Sequence, residues 1–218
     1  MVGGEGLLVS PLHAIVDADA ASRAGWTPAN LVRAFIDGGA TIIQLRAKHL
    51  SSGSFLDLCD AAVALAKPSG AQVVINDRVD LALLSRADGV HVGQDDVPPL
   101  EARRQLGPAA IVGYSTHTLD QIDQAPREAL SYIAIGPVFA TGTKDTGYEA
   151  VGLDMVRAAS ARSMGLPVVA IGGITLERAP AVMAAGASAV AVIGDLLATS
   201  DPRQRVQAYL RALTQFRV

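Results

Sequence analysis

The run Pro167-Val168-Val169-Ala170-Ile171-Gly172-Gly173, followed at a distance by Ala189-Val190-Ala191-Val192-Ile193-Gly194, decides the fold class. Both runs are continuously apolar rather than alternating, as strands are when a parallel sheet is covered on both faces. The interval 176–185 carries a helical apolar pattern and stops at Gly186, a residue type suited to ending a helix. Strand, helix and strand in that order make a βαβ unit.

Working outward, the unit recurs along the chain. Further strands are expected at 12–17, 41–46, 72–77, 89–93, 110–115 and 132–139, with helices at 28–37, 54–67, 79–85, 98–106, 119–125 and 153–164 and a last one at 202–216. Thr27-Pro28 and Asp201-Pro202 each place a capping side chain before a proline at the first helical position. Eight strands in 218 residues predict an α/β chain folded as a (β/α)8 TIM barrel, one domain over 1–218 with its core between about 12 and 213. An open doubly wound sheet uses the same local pattern, but an early Gly-rich dinucleotide turn is missing.

Composition agrees with a large buried interior. Half the residues are hydrophobic, only 4% are aromatic and 18% are charged, so Ala, Val, Ile and Leu must fill the core. A net charge of -3 argues against a general nucleic-acid binder. Cys59 is the single cysteine, which precludes an intrachain disulfide, and its apolar helical setting suggests a small buried side chain. The first residues lack a basic start and a long apolar run, and no stretch suits a membrane helix, so a cytoplasmic protein is expected. A homo-oligomer is left open.

A barrel gathers its chemistry at the C-terminal ends of its strands, and here those ends are rich in polar groups. Arg46, Lys48 and Lys144 are cations at these ends, the first two without an acidic neighbour in sequence and the third followed by Asp145. Converging on one mouth they would repel one another unless an anion lay between them, and a diphosphate is the economical candidate. Asp77 and Asp96 beside a diphosphate make sense with Mg2+ between them; helix capping is the competing reading, and Asp95 is a neighbouring ligand candidate. Gly172, Gly173 and Gly194 suit a backbone phosphate site at the last two strands. The loop 136–144, with Thr141, Gly142, Thr143 and Lys144, suits anion binding by hydroxyl, backbone and ammonium donors. His91 reads as a satisfied buried histidine, His117 as a residue of the mouth or a helix cap. No zinc cluster and no nucleophile–base pair is present, so the chemistry needs little proton abstraction.

The ordered set Ile43-Gln44-Leu45-Arg46-Ala47-Lys48, Ile75-Asn76-Asp77-Arg78, His91-Val92-Gly93-Gln94-Asp95-Asp96, Gly113-Tyr114-Ser115-Thr116-His117, the loop 136–144 and Ala170-Ile171-Gly172-Gly173-Ile174 resembles the thiamine phosphate synthase family. The resemblance spans nearly the whole chain. It implies a transferase that joins a hydroxymethylpyrimidine diphosphate to a thiazole phosphate with loss of diphosphate, using one Mg2+ per site and two small-molecule substrates. By the same resemblance Gln44, Leu45, Arg46, Ala47, Lys48, Asn76, Ser115 and Lys144 hold the pyrimidine diphosphate, and Arg46, Lys48, Lys144 and Ser115 carry the catalysis. Asp77 and Asp96 bind the metal, while Thr141, Gly142, Thr143, Gly173, Ile193 and Gly194 hold the thiazole phosphate. Two positions depart from the family, which often has an acid at Ala47 and serine at Gly194, and Asp195 brings negative charge toward the phosphate. Rival readings are a thiazole tautomerase paralogue, which would not need the metal–diphosphate set, a phosphosugar isomerase or epimerase, which would want an acid/base pair, and a non-catalytic sensor of thiamine precursors.

Overall fold

The protein is described from a computed structural model covering residues 10–140 and 149–216. In chain order the elements are β1 (Leu12–Asp17), α1 (Ala18–Arg23), α2 (Pro28–Asp37), β2 (Ile42–Arg46), α3 (Ser52–Ala66), β3 (Gln72–Asn76), α4 (Val79–Ser85), β4 (Gly89–Val92), α5 (Pro99–Leu106), β5 (Ile111–Thr116), α6 (Leu119–Asp123), β6 (Tyr132–Ile135), α7 (Gly152–Arg162), β7 (Val168–Ile171), α8 (Ala179–Ala184), β8 (Ala189–Val192) and α9 (Pro202–Leu213). Each strand pairs in parallel with the next, and β8 returns to β1 with Ala14 opposite Val192, so the sheet closes into a barrel. Closure excludes the open doubly wound alternative.

The burial pattern follows the pleat. Along β1 the outward residues Leu12, Ala14 and Val16 pack with the helices, while Ile15 belongs to a separate inner cluster with Ile42, Val74, Ile111, Tyr132, Val169 and Ala191. Two-residue alternation therefore sorts side chains into a helix-facing shell and a barrel interior, both apolar, which is why the strands read as unbroken hydrophobic runs. Cys59 is fully buried in α3, as a small core side chain.

Two differences from the expected boundaries bear on the site. The chain forms an additional helix, α1, directly after β1, because the Asp17 carboxylate accepts the Ala20 N–H at 2.9 Å and caps it. The strand expected over 132–139 ends at Ile135: Gly136-Pro137 follows as a cis peptide, and Pro137 has no N–H to give to a ladder. Val138 and Phe139 still donate to the Ile171 and Gly172 carbonyls, at 2.8 and 3.0 Å, so the segment continues along β7 without being a strand. Among the described residues no helix is long and apolar enough to cross a membrane.

Candidate active site

A cavity of about 390 Å3 opens at the C-terminal end of the barrel, within the size range of small-molecule sites. The inward positions of β2 and β3 send Gln44, Arg46 and Asn76 into it, β5 sends Ser115, and the ends of β7 and β8 contribute Gly173, Ile193 and Gly194. These residues are scattered over much of the chain, and barrel closure brings them to one mouth.

Its floor is a buried polar network. His91 on β4 lies 3.0 Å from the Tyr132 hydroxyl through Nδ1 and 2.9 Å from Ser115 Oγ through Nε2, so Ser115 is held from below. The histidine is thus the satisfied buried group expected from sequence. Burial pushes the Tyr132 phenol far above its ordinary pKa, against a side-chain hydrogen bond from Gln44, so it stays protonated. Gly113 makes room for this network: a Cβ there would lie 2.2 Å from Tyr132 Cζ and 2.5 Å from His91 Nδ1. His13 packs edge-on against Tyr132 with ring centroids 5.0 Å apart and also faces the cavity. Desolvation lowers its pKa to about 4, and its Nε2 finds no partner among the described residues. Sequence reasoning gave His13 no role; the signal was its inward parity with Ile15, two residues along β1. His117 also lines the mouth, with its Nδ1 2.6 Å from the Gly136 carbonyl.

The cations are not bare. Arg46 forms an ion pair with Asp17, its register partner on β1, and Lys48 forms one with Asp77. The acids are distant in sequence, so the premise that these cations lacked acidic company held along the chain but not in space. Arg46 Nε is nevertheless buried without a hydrogen-bond partner among the described residues, leaving a donor for a ligand.

Asp77 sits just past β3 in the left-handed region, with φ of 65°. Neither it nor Asp96 caps a helix: α4 begins from Arg78 and α5 from Pro98, both without a side-chain cap. Asp96 instead accepts the Gly93 N–H at 2.7 Å and lies against Asp77. Burial, and then the Asp77 charge, raise its pKa against the pull of the Gly93 N–H and of Lys48. Two carboxylates face one another with one ammonium for company, an arrangement that fits a divalent cation. The described residues contain no cluster of three acidic, histidine or cysteine side chains of the kind that holds a metal unaided. The remaining ligands would be phosphate oxygens and water, as Mg2+ prefers.

Other expected residues fall elsewhere. Leu45 is fully buried in the helix-facing shell, so only its backbone is available to the mouth, and Ala47 packs against that shell at the rim. Lys48, Asp77 and Asp96 stand beside the cavity rather than in its lining. Asp95 is exposed. Thr141, Gly142, Thr143 and Lys144 lie outside the described residues. Asp195 proves to be occupied: Arg205 donates to its carboxylate at 2.8 and 3.1 Å, Tyr209 at 2.6 Å and the Leu176 N–H at 3.1 Å. Its charge is thereby matched instead of standing bare at the subsite.

Gly172 and Gly173 take φ of 102° and 60°, and side chains would collide with the stretch after β6. A Cβ at Gly172 would lie 2.6 Å from Pro137 Cα, and one at Gly173 2.6 Å from the Ala140 carbonyl. The two loops are in backbone contact, and glycine is required on one side of it.

Comparison with known proteins agrees with the geometry. Residues 12–196 match the family model described as thiamine monophosphate synthase. A thiamine-phosphate synthase from Koribacter versatilis is 42% identical over 212 residues, covering 95% of this chain and 98% of the relative. One from Roseiflexus castenholzii is 41% identical over 179 residues, 82% of this chain and 78% of the relative. The solved structure of a thiamine phosphate pyrophosphorylase from Pyrococcus furiosus superposes with a TM-score of 0.84 at 29% identity, covering 95% of this chain and 96% of that one.

Proposed function

The chain belongs to the thiamine monophosphate synthase family, and from that membership we propose that it is a magnesium-dependent thiamine phosphate synthase acting on a hydroxymethylpyrimidine diphosphate and a thiazole phosphate. The observation that carries the metal and diphosphate part is the facing pair Asp77 and Asp96 with Lys48, next to a cavity holding Arg46, Gln44, Asn76 and Ser115.

The reaction breaks the bond between the pyrimidine methylene and the diphosphate oxygen, which leaves with both electrons. The thiazole nitrogen then gives its lone pair to the methylene carbon, forming the C–N bond, and no proton need be taken from either partner. The chain's task is electrostatic. Arg46, with a buried unspent Nε–H, and Lys48 receive charge developing on the leaving diphosphate, joined in this reading by Lys144. Asp77 and Asp96 would hold Mg2+, which supplies further charge neutralisation to the diphosphate when bound. Gln44, Asn76 and Ser115 offer amide and hydroxyl groups to the pyrimidine, Ser115 positioned by His91. The backbone at Gly173, Ile193 and Gly194 receives the phosphate of the thiazole, with Thr141, Gly142 and Thr143 assigned to the same substrate. Most of the pocket's lining surface is apolar, which would shield the cationic methylene from water.

The test is product formation from both substrates with and without Mg2+. Formation of thiamine phosphate and diphosphate that requires the metal is expected. Binding of both substrates without product would favour a sensor, and a reaction of the thiazole indifferent to the pyrimidine would favour the tautomerase.

A further inference from the structure

Arg178 stands at the mouth between β7 and α8 and lines the cavity beside Gly173 and Gly194. Its guanidinium lies 4.7 Å from the centroid of the Phe139 ring, and Nη1 donates to the Gly173 carbonyl at 2.9 Å. One hydrogen bond and one cation–π contact hold the group at the mouth. Its other N–H donors make no hydrogen bond among the described residues; the Glu177 carboxylate next to it in sequence feels its charge, but Glu177 forms its ion pair with Arg205 at 3.8 Å and not with Arg178. The other cations of this rim differ: Arg46 is tied to Asp17, Lys48 to Asp77, and Arg205 to Asp195. Among the described residues, Arg178 is therefore the mouth arginine with charge to spare.

The groups around it need that charge. Gly173 and Gly194 bring only backbone donors to the subsite, and the Asp195 carboxylate next to Gly194 is neutralised, not reversed, by Arg205. A phosphate dianion resting on N–H dipoles alone would keep most of its charge uncompensated, whereas a guanidinium offers paired donors matched to phosphate oxygens. We propose that Arg178 is a substrate-binding residue that grips the phosphate of the thiazole substrate, completing a subsite that the glycines of β7 and β8 only half build. This rests on the function proposed above for the identity of the substrate; the anion-binding role itself does not.

The test varies each substrate in turn for Arg178→Gln and Arg178→Lys, beside calorimetric titration of the full chain with inorganic phosphate. Arg178→Gln is expected to raise KM for the thiazole phosphate about 10- to 100-fold, to leave KM for the pyrimidine diphosphate within about twofold, and to abolish phosphate binding. Arg178→Lys should recover part of each loss, and the dephosphorylated thiazole should not distinguish wild type from variant. An unchanged KM for the thiazole phosphate, an equal rise for both substrates, or unaltered phosphate affinity in Arg178→Gln overturns the assignment. A wild-type chain that binds phosphate through Arg178 yet turns over neither substrate would sink the proposed function and leave this assignment standing.

Discussion

Asp17 and Arg46 face each other as register partners on β1 and β2, and their side chains pair at the rim of the barrel. The same carboxylate caps α1 through the Ala20 N–H, so one buried acid orients an arginine and starts a helix. Removing it strands a mostly buried guanidinium and opens a cap. Asp17→Ala is expected to lower the unfolding free energy by roughly 3–5 kcal/mol, and Asp17→Asn by less because its amide oxygen still accepts. Urea denaturation checks this; coincident midpoints for Asp17→Ala and wild type would show that the pair contributes nothing.

Asp77 carries the metal argument. Asp77→Asn should raise the Mg2+ concentration for half-maximal activity by at least about tenfold while leaving the melting temperature close to that of wild type, because asparagine tolerates the left-handed backbone that Asp77 adopts. A metal titration of turnover decides it. An unaltered Mg2+ response would remove Asp77 from the metal site.

His13 gives stability a pH dependence. Its pKa falls from the ordinary 6.5 to about 4 in the fold because burial disfavours the imidazolium. The unfolded chain thus binds a proton more readily between those values, and stability falls as pH drops from 6.5 toward 4, flattening below. The loss is on the order of 3 kcal/mol, at about 1.4 kcal/mol for each pKa unit. Comparing unfolding curves of wild type and His13→Asn at pH 7 and pH 4.5 isolates the share of His13, since the variant should lose that part of the slope. Parallel pH profiles would contradict it.

Gly113→Ala should be damaging for a steric reason. The added methyl meets the Tyr132 ring and His91 Nδ1 well inside contact distance, and both side chains are themselves buried. A cost of at least about 1–3 kcal/mol is expected, together with reduced turnover because Ser115 loses its support. Thermal melts and steady-state rates measure both. Gly53→Ala, in the first turn of α3 where a Cβ meets nothing within 4 Å, is the control: it should leave turnover unchanged and melt no lower than wild type.

Much of this architecture was legible because its signals are local. Continuous apolar runs located all eight strands, and Thr27-Pro28 and Val79 fixed the starts of α2 and α4 to the residue. The strand-end polar groups could be named because barrel topology converts sequence position into a place at the mouth. What escaped depended on distance across the fold. Asp17 meeting Arg46, and Asp77 meeting Lys48, involve partners separated by 29 residues, and nothing in the intervening chain announces them. The same holds for Arg205 reaching back to Asp195 from α9. His13 was passed over because its parity with Ile15 shows which face the two share, but that this face is the inward one follows only from barrel closure. The shortened β6 follows from Pro137, which has no N–H for the ladder, and Gly136 before it runs so close to β7 that a Cβ would sit 2.3 Å from the Ile171 carbonyl.

The contact of Gly172 and Gly173 with Pro137 and Ala140 means that the rim segments after β6 and β7 are interlocked parts. Anyone transplanting this mouth onto another scaffold, or shuffling it between homologues, would have to move 136–140 and 171–175 as one cassette. Exchanged singly, each would arrive with its shape cut for a neighbour left behind.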